Sequence, residues 1–275
     1  MIKDVLVHLS PADKNHAATA YALALAELFD AHVAGVAFAY EPVIGASVMG
    51  AVPTDFIEAQ RQENIDFANA AKAKFEESVR RERVSAESHV FSASMAGAAD
   101  QFGRMARRFD LSVVIQADQE TVPAEELIAE SALFVSGRPV IVVPYIHTGE
   151  LKLERVMVCW DGGRAAARAI GDAMPFLTRA KAVEVVMVLG EEGKQDSIPG
   201  ADMGQHLARH GVTVEVKRIV ATGKVEETLL SHAADMSADL VVMGGYGHSR
   251  LREFILGGVT RGMLASMTVP CFMSH

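Results

Sequence analysis

Short β-branched runs alternate along the chain with longer segments whose apolar side chains recur every three or four residues. Residues 3–9 (KDVLVHL) and 154–160 (ERVMVCW) are two such runs, and an Ala-rich segment with helical spacing follows each. The same alternation predicts strands over 3–9, 32–39, 84–91, 111–117 and 139–144, with helices over 13–30, 54–82, 95–108 and 124–135. It then predicts strands over 154–160, 183–189, 213–219, 239–243 and 269–273, with helices over 164–178, 201–210, 224–236 and 258–266. In the helix over 54–82, Ile65, Ala68, Phe75 and Val79 form an apolar stripe that only Lys72 interrupts, which is the pattern of core packing.

The landmarks occur twice and in the same order. Val5 and Val7 answer to Val156 and Val158. Asp110-Leu111 followed by Val113-Val114-Ile115 answers to Asp239-Leu240 followed by Val241-Val242-Met243, and a proline-containing strand closes each half at Pro139 and Pro270. Two copies of one unit are therefore expected, over 1–146 and 153–275, joined by a polar segment at Tyr145 to Lys152. Strands separated by helices cannot be hairpins. The expected fold class is α/β, with two tandem doubly wound units, each a five-stranded parallel sheet carrying helices on both faces.

The 275 residues are 50% hydrophobic and 22% charged, enough apolar material for a buried core. With 26 basic and 35 acidic side chains the net charge is -9, which gives no general attraction to nucleic acid or an anionic membrane. Cys159 and Cys271 lie in apolar stretches and outside any Cys/His cluster, so both are read as buried free thiols in a reducing compartment. The apolar run within Met1 to Ser10 is too short for a signal peptide, and no stretch is long and apolar enough to span a bilayer. A cytoplasmic protein is expected.

Open α/β sheets bind ligands beyond the carboxyl ends of their strands, where the strand order reverses. In the second copy, the strand ending at Met243 runs into Gly244-Gly245-Tyr246-Gly247, and further on comes Gly257-Gly258-Val259-Thr260 ahead of a helix. Glycines let the backbone approach a phosphate, and amides at a helix start supply donors. The first strand of that copy ends in Trp160-Asp161-Gly162-Gly163, where a carboxylate can accept from an exocyclic amine or a ribose. An aspartate in such a place also serves simply as a helix cap.

Gly244, Gly247 and Gly257, spaced by two and nine residues, resemble the G-x2-G-x9-G-[S/T] ATP-binding signature of the universal stress protein family. Trp160-Asp161-Gly162-Gly163 is similar to that family's strand-end D-G-S, and the duplicated layout resembles a tandem member with two domains fused. The resemblance implies a stress-response protein that binds ATP or AMP, with or without magnesium, in its second domain and couples occupancy to a protein partner or homodimer. It places Asp161, Gly162 and Val188 around the adenine, Gly244 and Gly247 beside ribose and phosphate, and the amides of Gly257, Gly258 and Val259 on the phosphates. Gly258 stands where the family has Ser or Thr, removing a hydroxyl contact worth about 0.5 to 1.5 kcal/mol; Thr260 is the candidate substitute. The resemblance also implies that the final strands of the two copies pair edge to edge.

The first copy departs further. Ser10 replaces Asp161, no glycine occurs from Gln116 through Ser136, and Asp118 and Glu120 would repel a polyphosphate, so this copy is expected to keep the fold without the nucleotide. Other signals are weak. Gly223-Lys224 lacks the upstream glycine and the Ser/Thr of a phosphate loop, and His206 with His210 reads as a solvated pair. His248-Ser249 has no nucleophile elbow around it; Arg250 and Arg252 could instead meet a phosphate. The apolar stretch from Tyr40 to Pro53 covers either its own domain or an interface. No general base, metal-binding carboxylate cluster or Walker lysine is evident, so slow ATP hydrolysis is the most that is expected. The alternatives are a nucleotide-free interaction scaffold and a small-molecule binding protein using the same pocket.

Overall fold

The computed structural model describes residues 1–42, 53–117, 124–189, 200–221, 223–245 and 258–275. They form two compact units, one of residues Ile2–Arg138 and one of Pro139–His275 together with Met1.

The first unit contains β1 (Asp4–His8), α1 (Ala17–Phe29), β2 (His32–Tyr40), α2 (Thr54–Glu82), β3 (Ala86–Ala93), α3 (Met95–Ala106), β4 (Leu111–Ile115) and α4 (Ala124–Phe134). Its strands are parallel in the order β3-β2-β1-β4. Residues 33–39 of β2 are all buried, as expected of a strand covered on both faces. Helix α1 starts four residues later than its sequence pattern suggests. The Asp13 carboxylate accepts from the amides of Ala17 at 2.8 Å and Ala18 at 3.0 Å, and His16 takes a left-handed φ of 54°, so residues 13–16 form the turn that caps the helix.

The second unit contains β5 (Val140–Val143), β6 (Arg155–Cys159), α5 (Arg164–Leu177), β7 (Ala182–Leu189), α6 (Gly200–Arg209), β8 (Val214–Val220), α7 (Val225–Asp235), β9 (Leu240–Gly244), α8 (Val259–Ser266) and β10 (Cys271–Ser274). The strand order is β5-β10-β9-β6-β7-β8. All of its pairings are parallel except β5 with β10, which run antiparallel with Val142 opposite Cys271 and Val140 opposite Met273. The last strand of the first copy thus completes the sheet of the second, which is the edge pairing the family resemblance implies. Both strands are four residues long and wholly buried, so each removes the other's open edge. The mixed α/β architecture with mostly parallel strands is the fold class read from the sequence.

The two landmark aspartates do the same work in each unit. Asp110 Oδ2 accepts from the amides of Lys3 at 2.6 Å and Asp4 at 3.1 Å, while Asp239 Oδ2 accepts from Glu154 and Arg155, both at 2.8 Å. One clamp ties the start of β1 to the segment entering β4, the other the start of β6 to the segment entering β9.

Candidate functional site

In the second unit the chain proceeds outward from β6 to β7 and β8, then crosses back to β9 and β10 on the other side. Strand order therefore reverses between β6 and β9, and the crevice beyond their carboxyl ends is where an open sheet holds a ligand. Asp161 follows β6, and Gly244 ends β9. The first described residues of the two sequence-predicted loops, Asp161 and Gly244, lie at that switch point.

Asp161 is exposed, and its Oδ1 accepts from the amide of Gly163 at 2.7 Å. This Asx-type turn leads directly into α5, whose N-cap is Gly163, and Gly162 between them has a φ of +77°, a conformation that favours glycine. One carboxylate oxygen thus orders the turn ahead of α5 without being the helix cap that the alternative expected, while the side chain remains open to solvent. Gly244 pairs with Ser274 in the sheet. A β-carbon on it would lie 2.5 Å from the Ala166 amide nitrogen and 2.7 Å from the Ala165 carbonyl carbon. The end of β9 is therefore pressed against the first turn of α5, a closeness only glycine permits.

Gly258 is the N-cap of α8, with an extended backbone (φ -63°, ψ 156°) and its carbonyl accepting from Arg261 at 3.0 Å. The opening amides of α8, beginning with Val259, have no acceptor within the helix. Thr260 is 3% exposed and lies on the buried side of α8 with Met263. Val188 is half-buried near the end of β7, opposite Ile219 of β8. Gly247, Gly257, Tyr246, His248, Ser249, Arg250 and Arg252 lie outside the described residues, as do Asp118, Glu120 and residues 43–52 of the apolar stretch after β2.

The rim also holds features with no signal in the sequence. Trp160, the single tryptophan, is nearly buried beside Asp161, and its indole N–H has no hydrogen-bond partner among the described residues. The C-terminal end of β10 is tied to the mouth of the glycine loop, since the Gly245 amide donates to Ser274 O at 2.8 Å and His275 Nδ1 lies 2.9 Å from Gly245 O. The Cys159 thiol is pushed up to about 12 by burial, with the Asp161 charge adding to the effect, and burial raises Cys271 as well. Elsewhere, the rings of His206 of α6 and of His210, the residue after that helix, stand 4.7 Å apart; among the described residues no group of three or more metal-ligating side chains gathers.

At the corresponding switch of the first unit, between β1 and β4, the arrangement is different. The Ser10 hydroxyl donates to Glu125 Oε1 of α4 at 2.6 Å, and both residues are buried. Tyr40 at the end of β2 has a buried hydroxyl with no partner among the described residues, and its acidity is lowered by burial and by the Glu125 charge. The sequence gives Glu125 only as an acidic residue in a helical first turn, so its inward placement was not legible there.

Residues 152–275 match the family model described as the Universal stress protein family. The chain carries a universal stress protein domain. A universal stress protein of Synechocystis sp. is 34% identical over 121 residues, 43% of this chain and 41% of that protein. One of Methanocaldococcus jannaschii is 32% identical over 59 residues, 22% of this chain and 36% of that protein. The matched segments thus span well under half the length of these curated relatives. Among solved structures, a universal stress protein from Archaeoglobus fulgidus aligns with a TM-score of 0.69 at 16% identity, covering 98% of this chain and 95% of that one. A functionally unknown protein from Pseudomonas aeruginosa PAO1 aligns with a TM-score of 0.64 at 14% identity, covering 99% and 92%. These two likenesses extend the shared fold beyond the matched domain to nearly the whole chain. No described helix is long and apolar enough to cross a membrane.

Proposed function

We propose that this chain is a tandem stress-response protein, one domain over 1–146 and one over 153–275, whose second domain binds an adenine nucleotide, ATP or AMP. The observation that carries the reading is the convergence of Asp161 and Gly244 on the β6/β9 switch point, within the segment that matches the stress-protein family. In this reading the second oxygen of the Asp161 carboxylate, as hydrogen-bond acceptor, and the apolar edge at Val188 receive the base. Gly244 and Gly247 border the ribose and phosphate, and the amides of Gly257, Gly258 and Val259 hold the phosphates. With Gly258 lacking a hydroxyl and Thr260 turned to the interior, phosphate recognition rests on backbone amides, which do not require magnesium. We assign the site binding and response, not dedicated turnover, because the sequence holds no Walker lysine. Occupancy then biases an interface with a partner or a second copy, and the reducing cytoplasm is the fitting compartment for two free thiols.

Calorimetric titration with ATP and AMP tests the reading, supported by mass spectrometry of small molecules retained on purification. Saturable binding that quenches or shifts Trp160 emission and is weakened at least tenfold by Asp161→Ala supports it. No binding at millimolar nucleotide removes it. One observation favours a different role for the first domain: the buried Ser10–Glu125 pair sets a carboxylate at its switch point, which opposes a polyphosphate and leaves that domain to structure or partner contact.

A further inference from the structure

The first unit buries an imidazole with no polar support. His8, the last residue of β1, is 1% exposed, and neither of its ring nitrogens has a hydrogen-bond partner among the described residues. Its ring centroid lies 5.9 Å from Phe38 of β2 and 5.7 Å from Phe102 of α3, so two aromatic rings wall it in. A neutral imidazole is tolerated in such a place, but an imidazolium has neither water nor a bonded carboxylate to replace its hydration. Burial accordingly holds the His8 pKa down at about 4.

Among the described residues, the titratable and charged groups on the elements around it are uncharged or engaged with other partners. Two residues past the end of β1, the Ser10 hydroxyl donates to Glu125, the one buried carboxylate among the described residues of α4. On β2, two residues beyond Phe38, Tyr40 stays a neutral phenol. On β4, Ser112 is buried and uncharged. The charges of α3 nearest Phe102, Asp100 and Arg104, are exposed and pair with each other at 2.6 Å. His89 of β3 is half exposed and pairs with Glu87. The Asp13 carboxylate after β1 is occupied by the first amides of α1. In the second unit the same place, the last residue of the five-residue β6, is Cys159, a thiol that acid does not charge.

We propose that His8 is an acid trigger confined to the first unit: uptake of one proton by its imidazole breaks the packing of β1 and β2 against α3, and this unit opens while the second keeps its fold. The sign follows from linkage. The folded state disfavours the proton, so the stabilisation is complete above the ordinary histidine value of about 6.5 and is lost as pH falls from there towards 4.

The test uses the full chain, because Trp160 and both cysteines lie in the second unit and report on it alone. Acid titration from pH 7.5 to 4 is followed by far-UV circular dichroism, binding of an apolar dye, Trp160 emission and thiol accessibility. The expected result is loss of ellipticity with dye uptake in a one-proton transition, while Trp160 emission and thiol protection hold. Across that window the folding equilibrium of the first unit falls by about two orders of magnitude, the size of a gap from 6.5 to about 4. His8→Phe and His8→Gln each remove the proton-linked slope, the second keeping a polar side chain should the first fail to fold. The proposal is overturned if the His8 Cε1 proton resonance titrates near 6.5 in the folded chain. It is equally overturned if the variants retain the wild-type acid midpoint, or if Trp160 changes in the same transition.

Discussion

Ser10 and Glu125, 115 residues apart in sequence, meet in the first unit through a 2.6 Å hydrogen bond from hydroxyl to carboxylate, buried at the switch point between β1 and β4. Ser10 Oγ also accepts from the Ala12 amide at 3.0 Å, so one small side chain joins the strand end, the turn and the start of α4. Ser10→Ala leaves a carboxylate that is 5% exposed without its donor, and hydrogen bonds to charged groups contribute about 1.5 to 3 kcal/mol. Denaturant unfolding at pH 7, followed by circular dichroism, is expected to show a loss of that size. Glu125→Gln still offers an acceptor oxygen to Ser10 and is expected to lose less. Equal losses from both would mean that the charge, and not the hydrogen bond, sets the energy.

Gly244→Ala is expected to damage the second unit selectively. The new β-carbon would meet backbone atoms of Ala165 and Ala166, which cannot swing aside as a side-chain tip does, so β9 or the first turn of α5 must move. Overpacking of this kind costs about 1 to 3 kcal/mol. Trp160 emission is the measurement, since it follows this unit alone. Because the same movement shifts the turn that Asp161 orders, nucleotide affinity should fall together with stability; unchanged affinity in a destabilised protein would detach Gly244 from the ligand site.

Much of this was readable in one dimension. Asp110 and Asp239 stood out as paired landmarks, and the structure gives the reason, since their carboxylates clamp the amides that begin β1 and β6 respectively. The Asp161 and Gly244 loops were legible because glycine spacing is local and the switch-point rule is topological. What stayed hidden depends on direction and not on spacing. Glu125 reads as a helix-start acid until the fold turns it towards Ser10, and His8 reads as one more strand residue until Phe38 and Phe102 close around it. The late start of α1 was hidden for a related reason: the pattern marks where apolar spacing begins, whereas the Asp13 cap decides where helical hydrogen bonding begins.

That cap gives a third expectation. Asp13 is buried, and its two carboxylate oxygens each accept from an amide of the helix start, Oδ1 from Ala17 and Oδ2 from Ala18. Loss of such a cap costs about 0.5 to 2 kcal/mol. Asp13→Ala is expected at the upper end of that range, because the amides it satisfies are themselves buried, and Asp13→Asn, which keeps one acceptor oxygen, in the lower half. Thermal unfolding followed by circular dichroism separates the two; identical midpoints would show that water replaces the carboxylate at no cost.

The cysteines make the last prediction, in the alkaline direction. Burial pushes the Cys159 thiol up to about 12, with the Asp161 carboxylate adding to it, and Cys271, which donates to Val269 O at 3.5 Å, is also raised by burial. The thiolate is the reactive form, so neither cysteine should react with a disulfide reagent at pH 8 in the folded protein, while two equivalents should appear on unfolding. The folded state favours the protonated thiol, so this contribution to stability is complete below the unfolded value of about 8.5 and is lost as pH rises from there towards 12. Cys159→Ala should therefore lower stability at pH 7 through the missing sulfur, yet show a shallower decline above pH 9 than the native chain. Because Cys159 and Asp161 are two residues apart, Asp161→Asn should also lower the pH at which Cys159 begins to react. If the thiol reacted readily at pH 8, the strand end beside the proposed adenine site would be open to solvent, and the buried environment assigned to it would be wrong.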